Sequence, residues 1–451
     1  MGSLIGLLHL SSSALAADQA ALSATASNIS NQNTDGYTRR VASFSDTDTV
    51  NVNGVSTSSG VTATITAQRD RVLQRSLQQA TEASSASTAR TTALDNLQSL
   101  FTIDSSGDDA SGIGAAISNF FNSMTSLASS PSDTNARQTV YTAAQALVTT
   151  MNRTASQVSS QTASLNQQIS ISVDQVNSLL MNIASLNKQI QQSGGQDTDG
   201  LQDQRDQAVL SLSKLVDVNT VSAPDGTVNL SLSDGTPLLS GTQAINMGTA
   251  TVNGNVHILS NGNDVTGSIL SGSIGGLLQV RDQDIPAVQQ QLDAVAAAIA
   301  SAVNAQNAAG TDASGNAGGN VFSGSTAATL QLAISSGAGI AASSDGSNAA
   351  AMGAVASQAI VGSLTGAGAF SAMITSLGQT VSGASVTKSA NDAVLTQTST
   401  QVANVSGVSL DTEAANLTQY QRSYEAAAKV LSIVNELMAQ AINLGQQTTA
   451  S

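Results

Sequence analysis

Two histidines, His9 and His257, are the only side chains of the sequence that ordinarily titrate close to neutral pH, and neither stands in a catalytic pattern. No H-E-x-x-H run places two imidazoles on one helical face beside a general base, as zinc hydrolysis requires. Gly337-Ala338-Gly339-Ile340-Ala341-Ala342 has the spacing of a phosphate-cradling turn. The acid that should follow about twenty residues on to hold a ribose is missing, because that place reads Ser357-Gln358-Ala359-Ile360. Asp197-Thr198-Asp199-Gly200 and Asp312-Ala313-Ser314-Gly315 begin like calcium loops but reach no glutamate at the twelfth position. The absence of Cys removes thiolate zinc sites and disulfides. These residues read as packing, turns and loops, so the expectation is a protein without catalysis, cofactor or metal.

What remains is architecture, and composition narrows it. A chain of 451 residues is long enough for roughly two to four domains, and its 41% apolar content suffices to build a core. Aromatics are 2% and Trp is absent, so that core must be Ala, Leu, Val and Ile, which suits long helices in close approach. The 15 Lys and Arg against 30 Asp and Glu leave a net charge of -15. Few cations are available to displace counterions from phosphates, so nucleic acid and anionic membranes are excluded as partners. No run of roughly eighteen apolar residues is present to cross a bilayer. Ala14-Leu15-Ala16-Ala17 mimics a leader cleavage site, but no Lys or Arg precedes the apolar run Leu4 to Leu10, so no cleaved leader is expected.

The C-terminal stripe Leu417, Tyr420, Tyr424, Ala427, Leu431, Val434, Met438 and Ala441 alternates spacings of three and four, a heptad that needs a partner helix. The matching stripe is at the opposite end, where Leu8, Leu15, Leu22 and Ile29 stand seven apart. The two should pair as a coiled-coil stem, with everything between them an excursion that leaves the stem and returns. Ile433, Leu437 and Ile442 widen the C-terminal face beyond what one partner covers, which points to lateral packing against further copies or neighbouring subunits.

Between the stripes the period changes repeatedly. A helix from Ser3 should end at Asn31-Gln32-Asn33-Thr34-Asp35-Gly36, and Val41 to Ile65 alternates as a small β-hairpin region with an Asn53-Gly54 turn. Helices follow from Asp70 to a break at Gly107-Asp108-Asp109, from Ile113 to Leu127, from Thr134 or Asn135 to about Gln192, and from Leu201 to Leu215. Val218 to Leu270 carries hairpin signals, Pro224-Asp225-Gly226, Asp234-Gly235 and Asn253-Gly254. Ile285 to Asn307 returns to helix. Ser343 to Val386 is so rich in Ala, Gly and Ser that no boundaries can be drawn, and Ser389 to about Val405 reads as helix. Leu410 restarts the helix with Asp411 and Glu413 in a first turn suited to the positive end of the dipole.

Ser27-Asn28-Ile29-Ser30-Asn31-Gln32-Asn33-Thr34-Asp35-Gly36-Tyr37-Thr38-Arg39 resembles the N-terminal signature of bacterial flagellar axial proteins. Pro131 to Arg137, Asp203-Gln204-Arg205-Asp206, Gly275 to Asp282 and Ser406 to Leu417 narrow the resemblance to the FlgK family, hook-associated proteins of the hook to filament junction. The resemblance implies an exported structural subunit that leaves through the flagellar type III apparatus and assembles as a ring of copies of itself. Its partners would be the hook protein, a second junction protein, and an export chaperone at the C-terminal helix. Asn28, Asn31, Asn33, Gly36, Tyr37 and Arg39 would place the first domain against the next. Larger members carry a further outer domain, for which Ser323 to Ser347 is too short. Two alternatives stay open: a hook or rod subunit, which would lack the long central helix, and a secreted hydrolase, which processing at Ala16-Ala17 would favour.

The expected fold is mainly α with an inserted β domain. Residues 1–40 and 406–451 should form an inner terminal helical domain, and residues 41–215, 275–312 and 345–405 an α-rich middle domain with a small β-hairpin. Residues 216–274 and 313–344 should form an outer, mostly β domain.

Overall fold

A computed structural model describes residues 2–46, 49–52, 55–58, 60–101, 112–194 and 198–448. The expected turn at Asn53-Gly54, the break at Gly107-Asp108-Asp109 and Asp197 lie outside the described residues. Helix α1 (Gly2–Ser30) is followed by strand β1 (Arg40–Asp46), which pairs antiparallel with β4 (Val61–Ala67), while β2 (Thr49–Val52) pairs with β3 (Val55–Ser58). The helices α2 (Arg71–Ser99), α3 (Ile113–Ala128), α4 (Thr134–Gln192) and α5 (Asp199–Ser213) come next. Asp70 and Asp133 cap α2 and α4 by accepting from their first free N–H groups.

The β-rich segment is two antiparallel meanders, β5 (Asn219–Ser222) to β8 (Gln243–Ala244) through β6 (Val228–Ser231) and β7 (Pro237–Ser240), then β9 (Met247–Val252), β10 (Asn255–Ser260) and β11 (Asn263–Asp264). Asn253-Gly254 and Asn261-Gly262 turn the second meander with both residues at positive φ, the geometry that such pairs favour. Helix α6 (Gly272–Gln279) runs through a π turn at Val280–Asp284 into α7 (Ile285–Ala308), so this helix starts well before the expected Ile285. Strands β12 (Phe322–Ser323) and β13 (Gln331–Leu332), then α8 (Ser347–Ala354), α9 (Gly366–Ser406) and α10 (Leu410–Thr448) complete the chain.

Helix α4 is the axis on which the body is laid. At ~1.5 Å per residue it is roughly 90 Å long. Val140, Leu147, Met151, Val158, Leu165, Ile169, Val173, Val176, Leu180 and Ile183 form its buried line. The chain has few aromatic or charged side chains with which to fasten irregular backbone, and α4 uses amides instead. Asn152 Nδ2 donates to the carbonyls of Ala327 and Leu330 at 3.1 and 2.9 Å, and Asn166 brackets the β9–β10 turn through Gly254 O and Val256 N, each at 3.0 Å. Asn177 exchanges two 2.8 Å bonds with the backbone of Met247, and Asn187 holds Val228 and Gly241. Arg137 reaches Ile340 O near the start of the helix.

This ladder corrects two expectations. Segments 216–274 and 313–344, expected together, are fastened to different stretches of α4 and share no sheet. The β-rich segment also shares one hydrophobic cluster with the helices, Leu230, Leu239 and Ile258 being continuous with Val176 and Leu180. The G-x-G run has a packing role: a Cβ on Gly337 would lie 2.5 Å from the backbone of Arg137, so the residue admits close contact with α4.

Of the stretch Ser343 to Val386, in which no boundaries could be drawn, the first part holds α8 and the rest, from Gly366, is the first half of α9, a helix of 41 residues. Gly366, Ala369 and Ala384 are buried with Met373 and Leu377, and Asn391 Nδ2 donates to Ala83 O at 3.1 Å where α9 lies along α2. Small residues permit that approach and at the same time erase the large-apolar period on which a helix is recognised. Among the described residues no helix is long and apolar enough to cross a membrane.

Candidate functional site

The terminal helices do pair. Asn28, near the end of α1, donates to Glu413 in the first turn of α10 at 3.0 Å, and Val434 far along α10 is only 3% exposed, so the two run antiparallel. The ribbon β1–β4, expected in the middle domain, packs on α1 instead: Val61 N donates to Ser13 Oγ at 3.1 Å, and the Phe44 and Tyr420 rings lie 5.9 Å apart. Helix α1 is therefore covered on two sides. Its fully buried positions are small or polar, Ser11, Ala17, Asp18, Ala21, Ala24, Thr25 and Asn28, because two neighbours must both approach closely. Leu15, Leu22 and Ile29 each stand four residues after Ser11, Asp18 and Thr25 and, with Leu8, are half-buried on the shoulder of that line.

On α10, Leu417, Tyr420, Ala427, Leu431, Met438 and Ala441 are half-buried and Tyr424 is exposed. Other apolar side chains of the stem stay in solvent: Ile5, Leu7, Val430, Ile433, Leu437 and Ile442 are each 44–52% exposed. With Asn28 level with Glu413, the antiparallel arrangement brings Ile5 and Leu7 level with this stretch of α10, so the six gather at the end of the stem remote from the body.

At the other end lies a joint built on Asn28, which is 1% exposed. Its Nδ2 donates to Arg40 O (2.8 Å) and Glu413 Oε2 (3.0 Å); its Oδ1 accepts from Arg40 N and Tyr37 Oη, both at 2.9 Å. One amide thus closes α1, the start of β1, the intervening turn and α10. Asn31 Nδ2 donates to Ser27 O at 2.9 Å as the helix ends, whereas Asn33 is exposed. Arg39 N donates to Ser406 O at 2.8 Å and its guanidinium to Gln68 Oε1 at 2.8 Å, stitching the α1–β1 turn to both chain crossings between stem and body. Gly36 has φ +79°, and a Cβ there would lie 2.1 Å from the Gln207 side chain of α5.

Helix α5 receives the stem. Arg69 donates to Asp203 Oδ1 (2.7 Å), Gln202 Oε1 (2.6 Å), Asp199 O (2.8 Å) and Asp199 Oδ1 (3.3 Å), and its Nε lies 3.7 Å from Asp206 Oδ2. Thr38 N reaches Asp203 Oδ2 at 3.4 Å. Arg205 turns the opposite way, donating to Gly226 O in the β-rich segment (2.7 Å) and to Asn187 Oδ1 on α4 (3.3 Å). Burial pushes the Asp206 carboxyl up and the Arg205 guanidinium down from their ordinary values, with the neighbouring Arg205 and Asp206 charges opposing the shifts. An open cleft of about 600 Å³ separates the α1–β1 turn from α4 and α5, lined among others by Tyr37, Arg40, Leu186 and Gln207.

Sequence reasoning missed Arg69 and Arg40, and read Glu413 as an acid of the first helical turn without its place in the joint. A signal was present for the first: Asp199, Asp203 and Asp206 stand four and three apart, one acidic helical face that requires a cation. The residues weighed for chemistry are dispersed. His9 is exposed, His257 Nδ1 lies 2.6 Å from Asp264 Oδ2 on an outer hairpin, and Asp312 accepts from Ser314 N and Asn316 N in a turn. Among the described residues no three His, Asp or Glu converge as metal ligands.

Residues 94–322, just over half of the chain, match the family model described as the flagellar hook-associated protein FlgK helical domain. The chain belongs to the FlgK family. Residues 8–38 match the flagella basal body rod protein model, and residues 400–444 the C-terminal model of flagellar basal body rod FlgEFG proteins. These two matches fall on the stem and its joint. Proteins named flagellar hook-associated protein 1 from Salmonella typhimurium and Bacillus subtilis are 31% and 27% identical over 331 and 502 residues. The alignments cover 70% and 95% of this chain, and 59% and 96% of the relatives. The chain therefore spans about three fifths of the length of the Salmonella relative. The structure of the flagellar hook junction protein FlgK from Burkholderia pseudomallei has the same fold, with a TM-score of 0.66 at 20% identity over 72% of this chain and 98% of that one.

Proposed function

We propose that this chain is a structural subunit of the bacterial flagellum that assembles as a ring of copies on the hook and joins the hook to the filament through a second junction protein. The observation that carries this reading is the stem. Its inner seam is closed within the monomer, yet Val430, Ile433, Leu437 and Ile442 on α10 and Ile5 and Leu7 on α1 remain in solvent at one end. Apolar residues gathered in this way mark a surface that another molecule covers.

The rod-type matches at both termini fit a mode of assembly common to axial subunits, and the helical-domain match over residues 94–322 favours a junction protein over a hook or rod subunit. The same exposed face requires cover before assembly, a role for an export chaperone at α10, and export through the flagellar apparatus to the cell exterior follows from the position at the junction. In the free subunit the remote end of the stem is expected to fray, and to order when neighbours cover it.

Removing residues 431–451 deletes Val434 and three of the six exposed apolar residues, Ile433, Leu437 and Ile442, and leaves the joint intact. The truncated protein should keep the thermal transition of its helical body and fail to enter hook–filament junctions seen by electron microscopy. Filaments of normal number and length on cells producing only the truncated protein would refute the assignment.

A further inference from the structure

Where the helical body passes into the β-rich segment, two carboxylates meet without a cation between them. Glu82 on α2 and Asp217 just before β5 are both buried. Glu82 Oε1 accepts from Val218 N at 3.0 Å. Asp217 Oδ2 accepts from Ser233 N at 3.1 Å and its Oδ1 from Leu270 N at 3.3 Å. Four pieces of chain are therefore held by two side chains: α2, the entry to β5, the β6–β7 turn and the loop before α6. Together the carboxylates border a cleft of about 220 Å³ that opens to solvent beside Leu270, which is 73% exposed.

No group around the pair neutralises it. Arg75, on the cleft wall, donates to Asn219 Oδ1 at 3.1 Å, and Lys214 at the end of α5 is exposed. Asp234 in the β6–β7 turn is occupied by Thr236, and α6 carries no charged residue. On the far side of α2, Lys388 and Asp392 of α9 pair with each other at 2.6 Å. Among the described residues neither Glu82 nor Asp217 has an ion-pair partner, and two like charges in a site that excludes most water oppose each other.

We propose that the Glu82–Asp217 pair is a proton-operated clasp, which holds the β-rich segment against the helical body while Glu82 carries its proton and loosens when that proton leaves through the cleft. A neutral Glu82 still accepts from Val218 N through its carbonyl oxygen, so protonation removes the repulsion without breaking the bond.

Burial, assisted by the Asp217 charge and opposed by the Val218 and Ser213 hydrogen bonds, raises the Glu82 carboxyl from 4.5 to about 7. A carboxyl raised on folding contributes stability that is fully present below its unfolded value and is lost as pH rises through its folded one. The clasp is therefore tight near pH 5 and loose near pH 8, and the ionisation weakens it about tenfold between pH 6 and 8.

Hydrogen exchange of the full chain tests this through peptides spanning residues 214–236 and 265–274, corrected for the intrinsic pH dependence of exchange. Their protection should fall about tenfold from pH 6 to pH 8, while peptides of α3 and the first half of α4 stay constant. Glu82→Gln keeps an acceptor for Val218 and cannot ionise, so its protection should be level across that range. Asp217→Asn removes the opposing charge and should move the midpoint of the wild-type change to lower pH. Constant wild-type protection, an unaltered change in Glu82→Gln, or an unmoved midpoint in Asp217→Asn would each overturn the proposal.

Discussion

Asn28→Ala should release the stem from the body. The substitution leaves Arg40 N–H, Arg40 O, Tyr37 Oη and Glu413 Oε2 without the partner that now serves all of them, in a site where Asn28 itself is 1% exposed. Each buried polar group left unpaired costs ~1–3 kcal/mol, partly recovered where water enters, so a local loss of about 3–5 kcal/mol is expected. Protease cleavage within the first half of α10 and rapid amide exchange in α1 should appear while the body retains its transition. Asn28→Asp should do no better at neutral pH, because it replaces the two donors with a second carboxylate facing Glu413.

The other large effect is expected at Arg69. Arg69→Met keeps the unbranched stem of the side chain but strands Asp199, Asp203 and Asp206 on one face of α5, with Arg69 and Asp203 both largely buried. Breaking a buried ion pair by removing one partner typically costs ~3–5 kcal/mol. The melting temperature of the whole chain should fall, and adding Asp203→Asn should recover part of the loss, since the second change removes the charge that the first left unpaired. Arg69→Lys should rescue poorly, because a single ammonium cannot reproduce the fork that now serves Gln202, Asp199 and Asp203 together. A double variant no more stable than Arg69→Met would show that the arginine acts by packing and not by neutralising α5.

The outline of the helices was legible because Leu, Ile and Val recur on α3, α4 and α7 at the helical period, with Asp70 and the Asn253-Gly254 turn as punctuation. What escaped was contact geometry. The first half of α9 hides because the small residues that let it approach α2 carry no apolar period. The buried line of α1 differs from its leucine stripe because a helix with two neighbours buries alanine, serine and threonine at closest approach. Within the joint, Asn28, Tyr37 and Gly36 stood out as a local motif, whereas Arg69 meets Asp203 across 134 residues of chain, a distance at which spacing carries no information. The asparagine ladder of α4 escaped for the same reason, since one amide in a helix looks like another until the backbone that it holds is known.

Assembly through the exposed apolar residues at the remote end of the stem is tested most directly by incorporation of a subunit altered only there. Ile433→Asp with Leu437→Asp changes two side chains that are 49% and 44% exposed in the monomer. Surface substitutions of this kind usually cost within about 0.5 kcal/mol each, so the melting curve should remain close to that of the unaltered protein. Electron microscopy of cells producing only the double variant should show hooks without filaments. Hooks bearing full-length filaments and the variant at their junctions would contradict the claim that this face builds the assembly.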